Sequence, residues 1–142
     1  MTRQEKYPDT KTFHFHNENP KGRFTTDCVI RAIATATSIP YNQVVMEMAK
    51  MQCETGYDMS ESKLIDKYLT SKGWEKNKQP RKSNNTKYTG EEFCKMISRN
   101  RHEYPPQIIA NIGGHHIVAI MWGQVYDTWD STDGCIGNYW TR

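Results

Sequence analysis

The stretch His115–Trp129, HHIVAIMWGQVYDTW, decides the fold. Its apolar residues alternate on either side of Trp122-Gly123, a dipeptide suited to a two-residue hairpin turn. If Met121 stands opposite Gln124, then Ile120 faces Val125, Val118 faces Asp127 and His116 faces Trp129. His116, Val118, Ile120, Val125, Asp127 and Trp129 then share one side of the ribbon. The other side carries His115, Ile117, Ala119, Met121, Gln124, Tyr126 and Thr128, with Asp130 opposite His115. Two His–Asp couples arise. His116 and Asp127 are diagonal neighbours, about 7–8 Å apart at Cβ. His115 and Asp130 meet only at the frayed end. The more apolar side is the one expected to pack on helices, which selects His116 with Asp127. A bulge or an odd-length turn would reverse that choice.

Outward from this hairpin, QIIANI (Gln107–Ile112) precedes it across Gly113-Gly114, and GNYWT (Gly137–Thr141) follows it as a further strand. Upstream the period is helical. CVIRAIATAT begins at Cys28, with Val29, Ile33 and Ala36 on one face, Thr26 or Asp27 as cap, and an end near Ser38 imposed by Pro40. A second helix runs from about Tyr41, and SESKLIDKYLTSKG holds a third, stopped by Gly73. Thr89–Glu92 is a Thr-x-x-Glu capping box opening a fourth. Helices first and an antiparallel sheet last make the class α+β, one domain over residues 1–142. Residues 1–24 read as an irregular arm, although TFHFH alternates as a short strand would, with His14 and His16 on one face. Residues 75–88 read as a basic mobile loop.

The chain has 142 residues, a net charge of +3 and mixed charges with four Trp and eight Tyr, a globular composition. That charge calls for neither a nucleic acid nor a membrane partner. No apolar run is long enough to span a bilayer and the first residues form no signal-peptide pattern, so the expectation is a cytoplasmic protein. Cys28, Cys53, Cys94 and Cys135 lie far apart without any Cys-x-x-Cys, which predicts free thiols and no metal centre. Cys53, Cys94 and Cys135 read as packing thiols, and His115 as an exposed strand residue.

Cys28 differs from these three. A thiol at a helix N-terminus feels the positive end of the macrodipole, which favours thiolate. A cysteine nucleophile needs a base and a group to orient that base. His116 and Asp127 supply both. Arg31, one turn beyond Cys28, either offsets the charge of Asp27 or is a solvated helix residue.

These residues resemble a known group. His116-Ile117-Val118-Ala119 followed by Asp127-Thr128-Trp129 is similar to papain-like cysteine peptidases, whose base lies on one strand and whose next strand reads Asn-Ser-Trp. Cys28-Val29-Ile30-Arg31-Ala32-Ile33 is similar to the nucleophile helix of ovarian-tumour-type deubiquitinases, Cys-Leu-Phe-Arg-Ala. The resemblance implies a papain-like fold, with Cys28 as nucleophile, His116 as base, Asp127 in the orienting role and Trp129 shielding their hydrogen bond. The short length resembles small bacterial or phage-encoded members. Two positions depart from the pattern. Thr25 stands where the ovarian-tumour motif has Asp, and no Gln precedes Cys28 to hold the oxyanion. Asn19 is the candidate in its place, with Asn17, backbone amides and the Thr26 hydroxyl as alternatives.

The expected function is therefore a thiol hydrolase cleaving a peptide, isopeptide or other amide bond of a protein or peptide substrate, without cofactor. The same triad serves transglutamination and deamidation. The rivals are a non-catalytic papain-like interaction protein, favoured by the absent Gln, and a metal-binding module built on His14 and His16.

Overall fold

The computed structural model describes residues 1–142. Strands β4 (His116–Met121) and β5 (Gln124–Asp127) form the hairpin in the expected register, with Met121 opposite Gln124, Ile120 opposite Val125 and Ala119 opposite Tyr126. Trp122 (φ 54°) and Gly123 (φ 79°) both take positive φ, as a type I′ turn requires. A side chain at Gly123 would also collide with Ser98 Oγ.

Around the hairpin lie β1 (Phe13–Phe15), β2 (Glu75–Asn77), β3 (Gln107–Ile112) and β6 (Ile136–Thr141). The six strands form one sheet in the order β1-β5-β4-β3-β6-β2. Helices α1 (Arg3–Lys6), α2 (Cys28–Thr37), α3 (Tyr41–Thr55), α4 (Ser62–Ser71) and α5 (Gly90–Arg99) complete an α+β fold.

Three features depart from expectation. The sheet is mixed rather than antiparallel, because β1 runs parallel to β5, with Phe13 opposite Val125 and Phe15 opposite Asp127. Its connection to β5 spans most of the chain, so no hairpin rule foretells that pairing. Residues 1–24 are accordingly not an irregular arm: they supply α1 and an edge strand. Residues 75–88 are not simply a loop either, since β2 pairs antiparallel with β6 and Arg81 bridges to Lys87.

Both faces of the sheet are covered. Helices α2, α3 and α4 pack through Ile33, Val44, Met48, Leu64, Ile65 and Leu69 on Ile109, Ile117, Ala119 and Trp140. Helix α5 places Phe93, Cys94 and Ile97 on the opposite face, against Ile108, Ala110, Val118, Ile120 and Val125. Each such buried side chain is worth about 1.5–3 kcal/mol, an upper bound because the unfolded chain is itself partly compact. Covering on both sides explains why β4 reads as an almost unbroken apolar run. It also corrects the expectation that α2 lies over the face of Val118 and Ile120: that face belongs to α5. The Thr89–Glu92 capping box that starts α5 is present in both of its hydrogen bonds. Helix α2 ends at Ser38, which takes the left-handed conformation (φ 61°) ahead of Pro40.

Candidate active site

The site forms where the first turn of α2 meets the end of the sheet at which β4 begins and β5 finishes. Asp27 occupies the N-cap position of α2, but its carboxylate makes no capping bond. Its Oδ1 accepts from Arg31 Nε at 2.7 Å, and its Oδ2 accepts from Tyr41 Oη at 2.6 Å and from Asn19 Nδ2 at 3.1 Å. The first-turn N–H groups of α2, that of Cys28 included, are thus left without a side-chain acceptor from the cap, so the positive pole of the helix stays open beside the thiol. Burial works to raise the Asp27 pKa, but the hydrogen bonds from Tyr41, Arg31 and Asn19 outweigh it and hold the carboxyl below its ordinary value. Tyr41 is pushed up to about 12 by burial and by Asp27, which keeps it a donor.

Arg31 is 7 % exposed and continues the chain of charges inward. Its Nη1 donates to Asp127 Oδ1 at 2.6 Å, so one guanidinium spans two carboxylates that lie a hundred positions apart in sequence. Long charged side chains are almost never this buried unless paired. The solvated alternative for Arg31 is therefore excluded.

Asp127 is 2 % exposed, and its second oxygen meets His116 Nε2 at 2.5 Å. The N–H of Thr128 donates to Oδ1 at 2.7 Å, while the Asp127 carbonyl accepts from the backbone N–H of His16 at 2.8 Å. Desolvation would raise the Asp127 pKa, but His116 and Arg31 hold it below the usual carboxylate value. Trp129 covers the imidazole, ring centres 4.8 Å apart and planes inclined at 39°.

With Nε2 given to Asp127, Nδ1 of His116 is the nitrogen left for Cys28. Burial opposes the imidazolium, yet the bonds to Asp127 and Cys28 outweigh it and raise the His116 pKa to about 9. Burial likewise opposes the thiolate, and here His116, the backbone N–H of Ile117 and the charge of Arg31 prevail, so the Cys28 pKa falls below that of an ordinary thiol. The two groups move in opposite directions, as a thiolate–imidazolium pair requires.

Cys28, Arg31, His116, Thr128 and Trp129 line a cavity of about 410 Å³, together with Arg3, Phe24, Thr25 and Thr26. The N-terminal segment thus forms one wall of it. Asn19 is not part of that wall. Its amide is committed to Asp27, and its Oδ1 accepts from the backbone N–H of Lys21 at 2.9 Å. Asn17 donates to the carbonyl of Arg23. The expectation that Asn19 holds an oxyanion is corrected on this geometry. Thr26, by contrast, lies on the cavity wall.

The other expected residues fall outside the site. Asp130 caps Thr132 through its N–H (2.9 Å) and hydroxyl (2.6 Å) and does not meet His115, which lies in the exposed turn before β4. His14 pairs with Asp9 at 2.7 Å and His16 with Glu18, so each uses its own carboxylate. No group of three His, Cys, Asp or Glu side chains is placed to hold a metal ion. Cys94 is buried, and burial pushes its thiol up to about 12. Cys53 and Cys135 are exposed rather than packed, contrary to expectation. No helix is long and apolar enough to cross a membrane.

Sequence reasoning missed Arg3, Phe24 and Tyr41. Phe24 carried a faint signal, an aromatic four residues before Cys28 with no periodic pattern to bury it, and it is 53 % exposed. Arg3 and Tyr41 carried none. No family model, curated protein or solved structure matches this chain.

Proposed function

We propose that this chain is a cysteine hydrolase of the papain-like kind, cleaving a peptide, isopeptide or other amide bond through Cys28, His116 and Asp127. One observation carries the proposal: a thiol at an uncapped helix N-terminus shares a cavity with an imidazole whose far nitrogen is 2.5 Å from a buried carboxylate.

The chemistry follows from that arrangement. The Cys28 thiolate attacks the substrate carbonyl carbon, forming a C–S bond while the carbonyl π pair moves onto oxygen. The Cys28 backbone N–H and the Thr26 hydroxyl on the cavity wall are the donors assigned to that oxyanion, and such a donor contributes about 3–4 kcal/mol. Collapse of the intermediate breaks the C–N bond, and His116 Nδ1 gives its proton to the departing amine. Water then enters, loses a proton to His116 and attacks the thioester. The C–S bond breaks, the acid leaves, and the thiolate–imidazolium pair is restored. Asp127 holds the imidazole in one orientation throughout, and Trp129 keeps water from their bond.

The test is the rate of Cys28 alkylation by iodoacetamide against pH, in the native sequence and in His116→Ala. The expected outcome is a thiolate plateau reached below pH 7 that the substitution abolishes. Titration at the ordinary thiol value of about 8.5, unchanged by His116→Ala, rules the mechanism out.

A further inference from the structure

Of the two guanidinium groups in the cavity, Arg31 is consumed by Asp27 and Asp127. Arg3 is not. It forms no ion pair, and no Asp or Glu lines the cavity that it enters. Its place is nevertheless fixed. Nε donates to the carbonyl of Thr128 at 2.7 Å, reaching across 125 positions of sequence. The guanidinium lies over the ring of Phe24 at 5.1 Å and over that of Tyr7 at 5.7 Å. Anchoring through Nε alone leaves the terminal N–H groups free, and those form the fork that matches a carboxylate in a two-point contact.

We infer that Arg3 is the recognition residue for an anionic substrate: the substrate carries a carboxylate within the span of the 410 Å³ cavity that Arg3 shares with Cys28. This inference rests on the proposed acyl-enzyme mechanism and adds the substrate class to it. Acylation discharges the Cys28 thiolate, and His116 gives up its proton to the departing amine, so the net charge of the site is the same before and after. In both states Arg3 has no carboxylate of the protein paired with it, and it lines the same cavity as Cys28. The threonine hydroxyls at positions 25, 26 and 128 supply further donors around it.

The experiment compares Cys28 alkylation by N-iodoacetylglycine, which carries a carboxylate, with alkylation by its neutral carboxamide. Each thiol is followed separately by peptide mass mapping, and the exposed Cys53 and Cys135 serve as references within the same molecule. The quantity read is the anionic-to-neutral rate ratio at Cys28 divided by that at the reference thiols. It is expected to exceed one in the native sequence and to fall about tenfold in Arg3→Gln, the size of a charge-assisted hydrogen bond. It is expected to stay unchanged in Lys6→Gln, which removes an equal charge from the same short helix outside the cavity. A ratio that does not move in Arg3→Gln, even if both rates drop together, overturns the inference, and so does an equal fall in Lys6→Gln. The pH profile of the neutral probe reports the Cys28–His116 pair independently. The ratio is measurable whether that profile is fast or slow, so failure of the mechanism and failure of the anion site are told apart.

Discussion

Replacing Arg31 by Met removes the guanidinium and keeps most of its aliphatic stem. Two hydrogen-bonded ion pairs disappear together, 2.7 Å to Asp27 and 2.6 Å to Asp127. The side chains involved are 9 %, 10 % and 2 % exposed, so water cannot take over the work of the guanidinium. Removing one member of a buried ion pair costs about 3–5 kcal/mol, because it strands the partner charge. Asp127 keeps His116, and Asp27 keeps Tyr41 and Asn19, which places the expected loss at the lower end, about 3–4 kcal/mol. For a chain of this size, each kcal/mol lowers Tm by roughly 3 °C, so the shift is about 10 °C. The penalty also depends on pH. Both carboxyls have folded pKa values below their ordinary ones, so in the native sequence they contribute stability above the unfolded carboxyl range and lose it as pH falls through the folded values. Without Arg31 that contribution shrinks or reverses, and the gap between the two proteins narrows towards pH 4. Urea unfolding at pH 7 and pH 4.5 measures it. A pH 7 difference below about 1 kcal/mol, typical of exposed pairs, refutes the claim that Arg31 is a buried bridge.

Asp127→Asn removes the charge that sustains the imidazolium, so the His116 pKa should drop from about 9 towards 6.5, as read by NMR titration of its ring. By comparison with the serine-protease equivalent, any amidase activity should fall by about 10⁴-fold. The raised His116 pKa makes the charged imidazole stabilising below about pH 6.5, and that contribution is lost as pH rises through about 9. In Cys28→Ala, where no thiolate gains stability over the same range and the Cys28 contribution to the raised His116 pKa is gone, urea midpoints should decline above about pH 6.5 and level off below pH 9. Gly90→Ala puts a Cβ 2.7 Å from Ile112 Cδ1 and 3.0 Å from the Thr132 backbone, and overpacking of this kind costs about 1–3 kcal/mol by urea unfolding. Cys94, buried under α5 with its thiol pushed up to about 12, should resist iodoacetamide until the protein unfolds, while Cys53 and Cys135 react.

What was legible in the sequence was local. Alternation through His116–Met121 and Gln124–Asp127, with a turn able to take positive φ, was enough to set the β4–β5 register. The capping box set the start of α5. Face polarity alone does not select His116 over His115. Both faces of β4 are apolar and covered, and His116 meets Cys28 at the sheet's end rather than by sharing a face with α2. Strand β2 was hidden because an exposed three-residue edge strand has no apolar face to announce it. The parallel pairing of β1 was hidden because nothing local encodes a partner more than a hundred residues away. Arg31 was ambiguous for the same reason: one of its two carboxylates, Asp127, lies 96 positions on.

The seating of β1 against β5 has a consequence for the order in which the molecule matures. Every group that lowers the Cys28 pKa through His116 comes from the last third of the chain, and the residue that holds the Asp127 carbonyl, His16, directly follows β1 near the start of the chain. Contacts of such sequence separation form late, after local helices. During synthesis or refolding, Cys28 at the tip of an early α2 has only the helix N-terminus and Arg31 to favour its thiolate, and it gains His116 only when the two chain ends have closed on one another. On the proposed mechanism the fully activated thiol is reached last, so partly folded chains carry a weaker nucleophile with which to attack their neighbours.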